Sequence, residues 1–251
     1  MKYISILLFA FGIILLSGSC QEDDPNLNPG GLGTAGSLAR FTIVGDFLYT
    51  LGNQSLKVFD ISDATAPVEK TTVGVGSNVE TIFPFGEWLF LGTQNGMIIY
   101  GIDEEGTPER ISTYTHVVSC DPVVTDGTTA FVTLRASQCR TAADDALDLL
   151  EAIDIQDIEN PTIIGAERLN APRGLGLDGE VLFVCDSEAG LWVFDVSTPG
   201  DFEVITRVEG IVAYDVIPLD GQLLVLGPEN IYQYDYNALP TMTLLSTLAI
   251  N

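Results

Sequence analysis

From residue 38 onward, short apolar runs rich in Val, Ile, Phe, Tyr and Leu alternate with punctuation by Gly, Asp, Asn and Pro. Runs of this length and composition, bounded by turn residues, predict β-strands and not helices. In the first unit the predicted strands are residues 41–44, 47–51, 56–61 and 68–75, with Pro67 just ahead of the fourth. The runs at 88–91, 181–185 and 223–226 are almost continuously apolar, the pattern of strands covered on both faces.

Two markers measure the period. The first is a turn dipeptide between two apolar runs: Gly45-Asp46, Gly86-Glu87, Asp126-Gly127, Asp178-Gly179 and Asp220-Gly221, spaced by 41, 40, 52 and 42 residues. Each suits a positive φ in a tight hairpin. The second closes the third run of each unit at Asp60, Gly101, Asp154, Asp195 and Asp235, spaced by 41, 53, 41 and 40. Both give a unit of forty residues and both put a dozen extra residues in the third. The expected fold is all-β, a β-propeller of about five four-stranded antiparallel blades, with repeats near 38–77, 78–117, 118–170, 171–211 and 212–251. A solenoid is the alternative, but its repeats are shorter and lack paired hairpins. Each unit starts on an inner strand and ends on an outer one, with no strand exchanged between the termini.

The first residues read differently. Lys2, an apolar stretch over residues 4–16 and the small residues Ser17, Gly18 and Ser19 form an export signal over residues 1–19. The stretch is too short to span a bilayer as a helix. The segment 16–20 resembles the lipobox of bacterial lipoproteins, whose cysteine is acylated, although leucine sits at Leu16 where Ser17 would normally be Leu. The resemblance implies a lipid-anchored Cys20, and Gln21, Glu22, Asp23 and Asp24 resemble an acidic surface-export tag. Localisation at the outer membrane, surface-exposed or facing the periplasm, is expected, with the lipid as the only membrane contact. Residues 20–37, rich in Gly, Pro and Asn, read as the anchor and a flexible tether.

The motif Leu56-Lys57-Val58-Phe59-Asp60-Ile61-Ser62 with Pro67, repeated at Leu191-Trp192-Val193-Phe194-Asp195-Val196-Ser197, resembles the LVIVD-repeat proteins, an extracytoplasmic family of propeller-like proteins. The resemblance extends over all five units and is strongest in the first, third and fourth. Gly101 departs from it where the motif carries Asp.

A formal charge of −25, from 10 basic and 35 acidic residues, excludes nucleic acid as a partner and suits an exposed soluble domain. A protein or glycan partner is expected. Candidate chemistry gathers at the third unit. Cys120 and Cys139 are expected to form a disulfide in an oxidising compartment. His116, Asp121 and Arg135 are expected to meet around the inserted loop and bind a ligand. His116 is the only histidine, which excludes a multi-histidine metal site. Asp144, Asp145 and Asp148, with Glu151, form an acidic patch without the spacing of a Ca²⁺ loop, so Ca²⁺ is a weak candidate and no other cofactor is expected. Cys185 reads as a buried apolar residue. Asp60, Asp154, Asp195 and Asp235 read as turn caps. The chain therefore reads as a binding module without catalytic residues. The rival reading is a polysaccharide hydrolase or lyase using Asp121, Asp126 and His116.

Overall fold

The computed structural model describes residues 36–52, 54–94, 96–115, 122–135 and 147–250. Among them twenty strands form five four-stranded antiparallel sheets, each from four consecutive strands. The first sheet holds β1 (Phe41–Val44), β2 (Phe47–Leu51), β3 (Ser55–Asp60) and β4 (Val68–Gly74); the second holds β5 (Val79–Phe85), β6 (Trp88–Thr93), β7 (Gly96–Ile102) and β8 (Pro108–Thr115). The third holds β9 (Val123–Thr125), β10 (Thr129–Leu134), β11 (Leu149–Asp154) and β12 (Thr162–Arg168). The fourth is β13 (Leu175–Asp178), β14 (Val181–Cys185), β15 (Leu191–Asp195) and β16 (Glu203–Val208); the fifth is β17 (Asp215–Leu219), β18 (Gln222–Leu226), β19 (Asn230–Ala238) and β20 (Thr241–Ala249). This is the propeller architecture expected from the repeat. The first-unit strands fall within one residue of the predicted limits.

Neighbouring sheets meet mainly through their first strands, so β1, β5, β9, β13 and β17 line the centre. The fourth strands lie outside and are largely exposed. Each inner strand begins on one face of the propeller, the upper face, which also carries the hairpins between second and third strands. The other two connections of each blade lie on the lower face. Lower-face turns follow the predicted chemistry. Asp220 and Gly221 both have positive φ, 44° and 82°, and form a two-residue hairpin closed by Leu219 and Gln222. In the fourth blade the pairing of Asp178 with Val181 moves the bend to Gly179-Glu180, one residue beyond the dipeptide read from sequence. Asp60, Asp154, Asp195 and Asp235 each accept a hydrogen bond through Oδ1 from the amide two residues on, at 2.9–3.0 Å. The hydrogen bonds from Ser62 and Ser197 hold Asp60 and Asp195 below the usual carboxylate range. One Asx turn in each of blades one, three, four and five is thus their role.

Apolar side chains on facing sheets form four cores. One joins blades one and two around Tyr49, Leu56 and Leu89; the next joins two and three around Phe90, Ile99 and Val132. Another joins three and four around Phe131, Leu182 and Phe194; the last joins four and five around Phe183, Leu191 and Leu223. Burying one such Leu or Phe contributes about 1.5–3 kcal/mol. Among the described residues no core joins blades five and one. The expectation that residues 223–226 are covered on both faces fails for this reason: Leu223 and Val225 are fully buried against blade four, whereas Leu226 on the other side is 39% exposed.

Composition placed residues up to 37 in the tether, yet Gly36 and Ser37 belong to the domain. Ser37 is buried. Its hydroxyl accepts from the Leu175 amide at 2.8 Å and donates to Asp215 Oδ1 at 3.4 Å. A segment that looks like linker is therefore pinned by its side-chain hydrogen bonds to two inner strands. Cys185 is fully buried, as expected, and burial pushes its thiol well up.

Candidate functional site

The upper face carries the end of β10 and the segments leading into the inner strands. Five blades of a propeller converge only at the axis, and there a cavity of about 80 Å³ opens among Leu38, Glu80, Pro122, Arg135, Pro172 and Arg173. These side chains come from blades one to four. Two of only ten basic residues in the chain meet here.

Arg173 is fixed before any ligand arrives. Its Nε donates to Ser187 Oγ at 2.8 Å, and its guanidinium stacks over the Tyr214 ring at 4.1 Å. Stacking of this kind orients the planar fork and spares the entropy of ordering it later. Ser187 is held in turn: its hydroxyl donates to the Ala171 carbonyl at 2.8 Å, and its backbone takes a positive φ of 46°. Beneath lies Asp186, fully buried, whose carboxylate accepts from the Ala171 and Asn170 amides at 2.6 and 3.1 Å and from Trp192 Nε1 at 3.1 Å. A buried carboxylate with this many donors fixes the loop that carries Pro172 and Arg173. Thr133 of β10 donates its hydroxyl to the Arg173 carbonyl, tying blade three to the same loop.

Arg135 follows β10 directly and lines the mouth. In the neighbouring blade two, Glu80 Oε1 accepts from Gln94 Nε2 at 2.8 Å. At the start of β17, burial raises Asp215 to about 6, against the opposing hydrogen bonds from the Val216 amide, the Ser37 hydroxyl and the Leu38 amide. The mouth thus presents two guanidiniums and one carboxylate around a small polar cavity, an arrangement suited to an anionic group flanked by a hydrogen-bond donor.

His116, Cys120, Asp121, Cys139, Asp144 and Asp145 lie outside the described residues, as does Cys20. Asp126 sits at the other end of β9 from Pro122, and its Oδ1 accepts from the Thr128 and Thr129 amides, both at 2.7 Å. It is a lower-face turn residue, remote from Arg135. Glu151, read with Asp144, Asp145 and Asp148 as part of an acidic patch, is buried in β11 and accepts from Tyr114 Oη at 3.2 Å. Alternation along β11 turns it inward, which the dense run of acids concealed. Sequence reasoning missed Arg173. The available signal was the scarcity of arginine in so acidic a chain.

The LVIVD repeat matches residues 35–75 and 173–209, the first and fourth blades. The chain carries LVIVD repeats. No curated protein matches the LVIVD chain by sequence. Among solved structures it is similar to a protein from Lactobacillus plantarum at 16% identity, with a TM-score of 0.64 over 82% of this chain and 73% of that one. The periplasmic gluconolactonase PpgL of Pseudomonas aeruginosa matches at 12% identity and a TM-score of 0.61, over 82% and 70% of the two chains. A functionally unknown protein from Desulfotomaculum acetoxidans matches at 12% identity and a TM-score of 0.62, over 88% and 69%. At such identities the LVIVD chain shares their fold alone.

Proposed function

We propose that this LVIVD propeller is an exported binding module, anchored by lipid at Cys20 to the outer membrane, which grips an anionic group of a protein or glycan at the upper mouth of its axis. The observation that carries this reading is the convergence of Arg135 and Arg173 in a chain of net charge −25. The field of such a chain repels anions, so a mouth with two guanidiniums is a local exception with a steric address. The third-blade insertion starts beside Arg135, and in this reading His116 and Asp121 join the rim while a Cys120–Cys139 disulfide pins the loop.

The test uses residues 21–251, which leave out the cysteine to be acylated, on an array of acidic and neutral glycans and in pull-downs of envelope proteins. Arg135→Gln and a variant lacking residues 142–148 run beside it. Binding of acidic ligands that weakens about tenfold in Arg135→Gln, the scale of one charged hydrogen bond, supports the reading. Equal binding by all three chains refutes the mouth as the site. Breakdown of a supplied polysaccharide would replace it with the hydrolase or lyase reading.

A further inference from the structure

Blade two departs from the other four at the lower end of its sheet. Register pairs Phe47 with Asp60, Thr129 with Asp154, Val181 with Asp195 and Gln222 with Asp235, but in blade two it pairs Trp88 with Gly101. The turn does without the missing aspartate, because Asp103 Oδ1 accepts from the Thr107 amide at 2.7 Å. Gly101 does not take a positive φ, so the backbone does not call for glycine either. What the glycine accommodates is Trp88. A Cβ at position 101 would come within 3.1 Å of the indole Cζ3 and 3.4 Å of Ile111 Cδ1. The indole therefore leans across β7 with no side chain beneath it.

The two tryptophans are used differently. Trp192 stacks on Phe194 at 5.9 Å, lies under Arg207 at 4.6 Å and donates to Asp186. Trp88 is half-buried against the core of blades two and three, and among the described residues it has neither a hydrogen-bond partner nor a ring partner. A tryptophan packed on one side only, with its N–H free, offers a ligand both an apolar plane and a donor. Trp88 lines a cavity of about 720 Å³ around the lower ends of β7 and β8. Small-molecule sites have volumes of this order. Glu109 stands in the same row as Trp88 and Gly101, hence on the same face, and Glu87 precedes Trp88. Both glutamates are exposed, and among the described residues neither carboxylate has a partner. Past the start of β8 the cavity takes in Arg110, whose guanidinium donates to the Thr113 hydroxyl.

We propose that this cavity is a second binding site, for an uncharged glycan: a pyranose lays its C–H face on the Trp88 indole and donates hydroxyls to Glu87 and Glu109, while the adjoining sugar reaches Arg110. Sugar and indole suit each other because each is an apolar plane with a polar edge. The polar groups select against charge. A carboxylate only accepts and a guanidinium only donates, whereas a hydroxyl does both. An anion would face two unpaired glutamates in a chain of net charge −25, and a cation would face Arg110. The site is built once per chain. Phe47, at the matching place in blade one, is covered by Lys70 Nζ at 4.8 Å, and Thr129, Val181 and Gln222 are not aromatic. It shares no lining residue with the axial mouth, so it stands apart from the anion reading.

The test screens residues 21–251 on the neutral, acidic and amino-sugar members of a glycan array and titrates the strongest neutral hit by calorimetry. One site per chain is expected. Trp88→Ala should weaken binding more than about tenfold, and Glu109→Gln should weaken it to a lesser degree. Gly101→Asp restores the residue of the other blades, pushes on the indole and should also weaken binding. Arg135→Gln should leave it unchanged, which separates this site from the mouth. Circular dichroism and melting temperature verify that each variant folds, and Glu109→Gln, at an exposed position, keeps the test open if Trp88→Ala does not. The absence of any neutral hit overturns the proposal. So does a neutral ligand that the Trp88, Gly101 and Glu109 variants bind as tightly as the wild type, or one lost in Arg135→Gln instead. Binding confined to amino sugars overturns it in favour of a cation site at the same glutamates.

Discussion

Asp215 joins the first blade to the fifth, and its titration can be followed through to stability. Its carboxyl is raised from 3.8 to about 6 because the side chain is largely removed from water. The folded chain therefore holds this proton more tightly than the unfolded chain between about pH 4 and pH 6. Stability contributed here is fully present below the unfolded value and is lost as the pH rises through the folded one. A displacement of that size corresponds to about 3 kcal/mol at neutral pH, an upper figure because the side chain keeps some contact with solvent. Asp215→Asn removes the titration while its amide oxygen still accepts from the Val216 amide and the Ser37 hydroxyl. Urea unfolding of both chains, followed by Trp88 and Trp192 fluorescence at pH 4, 5, 6 and 7, isolates the effect by difference, since every other carboxylate is common to both. The variant should gain on the wild type by about 1 kcal/mol per pH unit near pH 5 and by about 2–3 kcal/mol in all, levelling off above pH 6.5. Parallel stability curves, or a variant that loses ground as pH rises, would refute the reasoning.

Two further changes probe how blades are held together. Gly165 of β12 lies under the Gly200 carbonyl of blade four, and a Cβ there would come within 1.9 Å of that oxygen. Gly165→Ala should therefore cost more than about 2 kcal/mol in urea unfolding, because backbone and not a flexible side chain must give way. Tyr49, buried in blade one, donates through Oη to the Gly106 carbonyl of blade two at 2.8 Å. Tyr49→Phe leaves that carbonyl unmatched and should lower stability by about 1–2 kcal/mol, with the loss read from the denaturation midpoint at unchanged slope.

The architecture was legible because each unit states it locally. Turn dipeptides and apolar runs repeat in all five units and the aspartate in four, at about forty residues outside the longer third unit, so independent markers had to agree. The aspartates could be assigned to turns because an Asx cap depends on neighbours two positions away. Contacts across the ring were not legible. Arg173 and Arg135 lie far apart in sequence and meet only because inner strands converge on one axis. Ser37 looked like tether because composition carries no information about a hydroxyl that bonds residues 138 and 178 positions away. Residues 223–226 misled in an instructive way: the apolar pattern reports a face fit for burial, and the structure decides whether anything lies against it.

Four cores for five sheets also set how the molecule comes apart. An array in which each unit touches only its neighbours behaves as a one-dimensional chain of coupled elements, whose end members have one coupling and whose interior members have two. Among the described residues blades one and five are such ends, joined across the gap by the hydrogen bonds of the Ser37 hydroxyl and the Leu38 amide to Asp215. Amide hydrogens of β6, β10 and β14 should accordingly exchange only when the whole array melts, while those of β3 and β19 exchange through openings that leave the middle three blades standing. The domain is graded in its cohesion, firm at the third blade and loosening towards both ends.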